Sequence, residues 1–188
     1  MTAQQSRLPR LLVVTDRAQL PLGRSLLSTV DSCLRAGLTH VVLRELDLPD
    51  GQRAALAAAL TRVGAAVIAA HRPVPAAIGT HLPAGAAGTG LGRSCHSRRD
   101  VEEAAAEGSA YATLGPFAPS ASKPGYGPAL PPTELRGHEI PVYALGGVSE
   151  SNAAELVGAG AYGVAVMGAV MRSGAPETVV RRLLEAVR

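Results

Sequence analysis

The chain has 188 residues, 47% of them hydrophobic and 3% aromatic, and a formal net charge of +3. This length suits one well-buried core rather than two ordinary domains. The arginines are spread along the chain without a basic run or an aromatic series, so nucleic-acid binding is not expected, and no segment reaches the ~18 uninterrupted apolar residues of a membrane span.

The start of the chain and its two cysteines bear on its compartment. Met1–Arg10 is polar and contains proline, without the apolar stretch that export requires, and Cys33 and Cys95 are isolated. We therefore expect a cytoplasmic protein without a disulfide framework. Residues 1–10 are expected to form a flexible segment and residues 11–188 a single domain, and the sequence is compatible with a homo-oligomer.

Short apolar runs alternate with helical stretches or tight Gly/Pro connections, which is typical of parallel β/α units. The predicted strands are Leu11–Thr15, His40–Arg44, Ala66–Ala70, Gly79–Leu82, Leu91–Ser94, Ala110–Leu114, Val142–Leu145 and Gly163–Met167. The predicted helices are Leu22–Ala36, Gly51–Val63, Arg98–Glu107, Glu150–Gly158 and Pro176–Val187. Ser97 and Ser149 lie where helix N-caps are expected, and Pro176 fits a first helical turn.

This alternation predicts an α/β fold, a single compact (β/α)8 TIM barrel whose third and fourth helical connections are shortened. A doubly wound open sheet is the alternative, because alternation alone does not show that the sheet closes. Gly115–Pro132 is long and rich in glycine and proline for a connection after a strand. We expect it either to cover a site or to be a plain surface loop.

Two of the predicted strands end in glycines. Leu145 is followed by Gly146 and Gly147, and the last strand ends at Met167-Gly168. Glycine lets an oxygen-rich ligand approach the main chain, and the loops after strands seven and eight of parallel barrels frequently form a phosphate site. The sequence therefore predicts phosphate binding at Gly146, Gly147, Met167 and Gly168.

Several short motifs resemble one family along nearly the whole chain after Leu11. They are Leu12–Asp16, Val42–Glu45, Gly92–Ser97, Ala110–Gly127 and Ile140–Val170. Together they are similar to the thiamin phosphate synthase and TenI-like thiazole tautomerase family. The resemblance implies the barrel fold, a role in thiamin biosynthesis and a phosphorylated thiazole as the small-molecule partner.

The two branches of this family differ at the mouth of the barrel. The synthases join a pyrimidine pyrophosphate to a thiazole phosphate with Mg²⁺, and they carry Gln-Leu-Arg-Glu-Lys at the second strand and Asn-Asp-Arg after the third. This chain has Val42–Leu46 (VLREL) and Ala70-His71-Arg72 there, and His81–Gly85 (HLPAG) replaces an acidic turn. Mg²⁺ prefers carboxylate and water ligands, so these departures argue against the usual metal site.

The resemblance therefore implies a TenI-like tautomerase that shifts a proton on a carboxylated thiazole phosphate, without a cofactor or an essential metal. A thiamin phosphate synthase with a degenerate pyrophosphate site is the alternative, and Mg²⁺ is expected only in that case. A third hypothesis is a non-catalytic barrel that binds thiazole or thiamin phosphate.

A proton shift needs a general base and a general acid, and histidine suits both near neutral pH. The catalytic histidine of the tautomerase branch aligns with Pro116, so His71 and His96 are the candidate catalytic residues, although either could simply bond a nearby carbonyl. Arg44 is expected to clamp an anion unless it pairs with Glu45 or Asp16. The other expected substrate contacts are Ser94, Ser120, Ser122 and Lys123.

Overall fold

The structure, a computed structural model, describes residues 8–119 and 128–188. Eight strands pair in chain order, and β8 also pairs in parallel with β1, so the sheet closes. The strands are β1 Leu11–Val14, β2 His40–Leu43, β3 Ala66–Ala70, β4 Gly79–Leu82, β5 Gly92–Cys95, β6 Tyr111–Leu114, β7 Val142–Leu145 and β8 Gly163–Val166. The predicted TIM barrel is confirmed, and the open doubly wound sheet is wrong.

Helices surround the barrel, and none of the described ones is long and apolar enough to cross a bilayer. They are α1 Leu26–Arg35, α2 Asp50–Arg62, α3 Arg98–Ala106, α4 Ala153–Gly158, α5 Gly168–Met171 and α6 Pro176–Ala186, with 3₁₀ turns at Arg17–Gln19 and Pro132–Leu135. No α-helix joins β3 to β4 or β4 to β5, and both of these connections are fully described. The shortened third and fourth connections are therefore confirmed.

The helix starts depend on local capping. Ser97 caps α3 through a reciprocal pair of hydrogen bonds with Asp100, as predicted. Ser149 was predicted to cap α4, and this prediction is wrong. Asn152 precedes α4, and its side-chain oxygen accepts a hydrogen bond from the Ser149 main-chain N–H at 2.9 Å. The amide side chain ties the turn before the helix, so α4 begins later than its hydrophobic pattern predicts.

Aromatic residues are few, but three tyrosines fill the barrel interior. The rings of Tyr111 and Tyr143 lie 5.3 Å apart, and those of Tyr143 and Tyr162 lie 5.5 Å apart, both edge to face. The Tyr143 hydroxyl donates to the Pro9 carbonyl at 2.5 Å, and the Tyr162 hydroxyl donates to the Leu8 carbonyl at 2.6 Å. These contacts close the amino-terminal end of the barrel, so a ligand would enter at the carboxyl ends of the strands.

Candidate active site at the mouth of the barrel

The two glycine turns lie side by side at the carboxyl end of the barrel. Strands β7 and β8 are neighbours, with Leu145 opposite Ala165, so the turns that follow them emerge together. Among the described residues, the main-chain N–H groups of Gly147, Val148, Gly168 and Ala169 have no hydrogen-bond acceptor. Four neighbouring amide donors without an acceptor suit an anion such as a phosphate.

The Gly146-Gly147 turn is held in an unusual backbone conformation. Both residues have positive φ angles, +88° and +68°, which side chains disfavour. The main-chain N–H groups of Phe117 and Ala118 donate to the Gly146 carbonyl, each at 3.1 Å, and the Asn152 side chain donates to the Gly147 carbonyl at 3.0 Å. The turn is thus fixed through its carbonyls, and its N–H groups are left for a ligand.

A cationic group lies on the opposite side of the mouth, at the ends of β2 and β3, which are three and four strands away from β7 in the ring. Arg53 of α2 is fully buried, and its guanidinium donates to the carbonyls of Leu43 at 3.2 Å and Ala70 at 2.8 Å. Arg53 therefore ties the two strand ends together. Arg44 and Arg72 follow these strands, and both side chains are about half exposed.

Arg44 remains open to a ligand. The predicted alternative of an ion pair with Asp16 is confirmed, but Nη1 lies 3.9 Å from Oδ2, and such a long, partly exposed pair contributes little. Pairing of Arg44 with Glu45 was the other interpretation, and it is wrong, because the Glu45 carboxylate is buried and accepts hydrogen bonds from the main chain and guanidinium of Arg17. Glu45 is therefore engaged by Arg17 and not by Arg44.

His71 lies within the cationic group. It is exposed, has a φ of +63°, and donates its main-chain N–H to the His81 carbonyl at 2.8 Å. Desolvation and then the positive charges of Arg44, Arg53 and Arg72 hold the pKa of His71 below its ordinary value. The side chain is therefore neutral near pH 7 and can accept a proton.

A buried hydrogen-bonded chain joins β4, β5 and β6 in the barrel interior. Nδ1 of His81 lies 3.0 Å from the Tyr111 hydroxyl, and Nε2 lies 2.9 Å from the Ser94 hydroxyl. The Tyr111 hydroxyl has no other partner among the described residues, so we assign it as the donor to Nδ1. Nε2–H then donates to the Ser94 hydroxyl, which keeps its own hydrogen for another acceptor.

Replacing Tyr111 with phenylalanine tests this assignment. The change leaves Nδ1 of the buried His81 without a donor, and an unsatisfied buried group costs about 1–3 kcal/mol. We expect Tyr111→Phe to lower the free energy of unfolding by about that amount in urea titrations. Nitrogen NMR shifts of His81 should show a proton on Nε2 in the wild-type protein, and a proton on Nδ1 there would contradict the assignment.

The remaining predicted residues are placed as follows. His96, after β5, has Nδ1 2.9 Å from the Gly115 carbonyl, and its main-chain N–H donates to Asp100 at 2.7 Å. His71 follows β3 and His96 follows β5, two strands apart in the ring. Pro116 touches the Gly146 turn but carries no titratable group. Ser120, Ser122 and Lys123 lie outside the described residues.

Sequence reasoning did not assign a role to three site residues, His81, Tyr111 and Arg53. His81 occupies an inward-facing position of β4, and alternation along that strand was the available signal. An arginine on the buried stripe of a predicted helix was the signal for Arg53. The sequence contains no signal for the role of Tyr111, because a tyrosine in a strand is usually a packing residue.

Comparison with known proteins identifies the family. The family model for thiamine monophosphate synthase matches residues 83–170, which include Ser94 and both glycine turns. A relative from Geobacter sulfurreducens is 37% identical over 93% of this chain and 92% of its own length. The thiamine-phosphate synthase of Roseiflexus castenholzii is 34% identical over 92% of this chain and 86% of its own length. The chain belongs to the thiamin phosphate synthase/TenI family.

Solved structures show the same architecture. The thiamine phosphate pyrophosphorylase of Pyrococcus furiosus superposes with a TM-score of 0.80 at 23% identity, covering 95% of both chains. The (S)-3-O-geranylgeranylglyceryl phosphate synthase of Thermoplasma acidophilum superposes with a TM-score of 0.74 at 13% identity, covering 100% of this chain and 98% of its own. At these identities the similarity shows the fold alone, and the thiamin phosphate synthase/TenI membership depends on the sequence relatives.

Proposed function

We propose that this chain binds a thiazole phosphate and joins it to a pyrimidine diphosphate, which is the reaction of a thiamin phosphate synthase. The observation that carries the proposal is the pair of anion-binding regions that face each other across one mouth. The amides after β7 and β8 suit the thiazole phosphate, and the arginines after β2 and β3 suit a second anionic group. The name of the Roseiflexus relative supports the synthase over the tautomerase.

The synthase reaction requires positive charge close to the departing diphosphate. The bond between the pyrimidine methylene carbon and the diphosphate oxygen breaks, and the thiazole nitrogen bonds to that carbon. The departing diphosphate gains negative charge, so positive charge close to it stabilises the transition state. Arg44 and Arg72 supply this charge with planar guanidinium groups that match phosphate oxygens, while Arg53 holds the two strand ends in place.

The residues present do not fit the Mg²⁺ that the synthases use. Within residues 8–119 and 128–188, no three His, Cys, Asp or Glu side chains come together as a metal site. Arg17 binds the carboxylates of Glu45 and Asp47, while Asp16 and Asp50 belong to no group of three such side chains among the described residues. We therefore assign the diphosphate to the arginines and derive no step through a metal.

A coupling assay tests the proposal. Incubating the protein with pyrimidine diphosphate and thiazole phosphate, with and without Mg²⁺, should yield thiamin phosphate and pyrophosphate. Arg44→Gln should lower the coupling rate about tenfold or more, because a charged hydrogen bond is worth about 1.5–3 kcal/mol. Arg62→Gln is the matched control, because it removes the same charge from the far end of α2. The absence of coupling under both conditions would reject the synthase.

The tautomerase is the second candidate, and it is favoured because the described residues of the mouth include no carboxylate cluster. A carboxylated thiazole phosphate also has two anionic ends, and His71, neutral beside the arginines, would be the general base. If the protein isomerises that substrate and does not catalyse the coupling reaction, its function is that of the tautomerase and not of the synthase. If the protein binds thiazole phosphate and catalyses neither reaction, it is a binding protein and not an enzyme of this pathway.

A further inference from the structure

The β8 turn carries a guanidinium group that the family resemblance did not point to. Arg172 directly follows α5, and its side chain folds back over that short helix onto its first residue, Gly168. A β-carbon added to Gly168 would lie 2.5 Å from Cζ of Arg172, so the guanidinium occupies the space that a side chain at position 168 would need. Arg172 is exposed to solvent, and a ligand can reach it.

A second element fixes the position of this guanidinium. Nη1 of Arg172 donates to Oε1 of Gln19, in the 3₁₀ turn after β1. The Gln19 amide in turn donates to Oδ2 of Asp16 at 2.7 Å. Gln19 is uncharged, so this contact orients the guanidinium without cancelling its charge. The charge is therefore held beside the amides of Gly168 and Ala169, which have no acceptor among the described residues.

We propose that Arg172 binds the phosphate of the substrate, and that glycine at position 168 leaves room for its guanidinium. The inference rests on the proposed function, in which the β7 and β8 turns hold the thiazole phosphate. Main-chain amides are neutral, whereas a phosphate monoester carries about −1.5 to −2 charges at pH 7. A guanidinium that donates two hydrogen bonds matches these charges and selects the phosphorylated ligand over the free alcohol.

Calorimetric titration with thiazole phosphate and with the corresponding thiazole alcohol tests Arg172. Arg172→Gln should bind thiazole phosphate about tenfold more weakly and bind the alcohol as the wild-type protein does, because about 1.4 kcal/mol corresponds to a factor of ten. Gly168→Ala displaces the flexible end of Arg172 and should weaken phosphate binding similarly. Arg181→Gln, which removes an exposed charge from α6, should bind both ligands as the wild type does.

The outcomes separate this inference from the proposed function. Selective weakening in Arg172→Gln supports the phosphate contact. Binding of thiazole phosphate by wild type and Arg172→Gln with equal affinity overturns the role of Arg172 and leaves the glycine turns as the phosphate site. Equal weakening for phosphate and alcohol also overturns it, because the loss would then not depend on the phosphate charge. If the wild-type protein binds no thiazole phosphate, both the inference and the proposed function fail.

Discussion

A Gly147→Ala variant is expected to bind thiazole phosphate about 100-fold more weakly than the wild-type protein, because losing two hydrogen bonds to a charged group costs about 3 kcal/mol or more. Gly147 has a φ of +68°, and an added β-carbon would lie 2.5 Å from Cβ of Ala118. The turn must therefore change its backbone conformation. That change redirects the Gly147 and Val148 amides away from their shared anion site.

The affinity is measured by calorimetry, together with urea unfolding to separate binding from stability. The positive φ alone should lower the free energy of unfolding by about 1–2 kcal/mol. Gly158→Ala is the matched control, because Gly158 ends α4 and an added β-carbon meets nothing within 4 Å. Unchanged phosphate affinity in a folded Gly147→Ala protein would remove the β7 turn from the site.

The stability of the protein should fall by about 3 kcal/mol between pH 6.5 and pH 4 through His81 alone. Complete burial, and a smaller effect of His71, lower the pKa of His81 from 6.5 to about 4. Above pH 6.5 the imidazole is neutral in both states. As the pH falls below 6.5, the unfolded chain takes up a proton that the folded protein does not, and this difference destabilises the folded state until His81 itself becomes protonated near pH 4.

Other groups also titrate between pH 7.5 and pH 4, so the contribution of His81 is obtained by comparing the wild-type protein with a variant that lacks this histidine. Urea unfolding of wild type and His81→Gln at several values from pH 7.5 to pH 4 gives the pH dependence of each. Glutamine cannot titrate but still offers a donor toward Ser94. The wild-type protein should lose about 3 kcal/mol more than the variant over this range. Parallel curves would show that His81 is not held neutral by burial.

Much of the fold follows from local pattern. Each of the eight strands was predicted to within about a residue, because buried parallel strands are short apolar runs bounded by glycine, proline or polar residues. The start of α1 was misplaced by four residues, since Ser25 caps the helix at a point that the hydrophobic pattern extends past. The four-residue helix α5 was not predicted, because it is too short to show a periodic pattern.

The sequence by itself determined the parallel barrel, the glycines of the phosphate turns and the family, because each depends on residues that are close together in the chain. Only the tertiary structure decided which distant residues share the mouth. Closure of the ring sets the arginines after β2 and β3 across from the glycine turns, and it joins His81 of β4, Ser94 of β5 and Tyr111 of β6 in one buried chain. Their side-chain positions depend on strand register and on burial, which no local pattern in the sequence specifies.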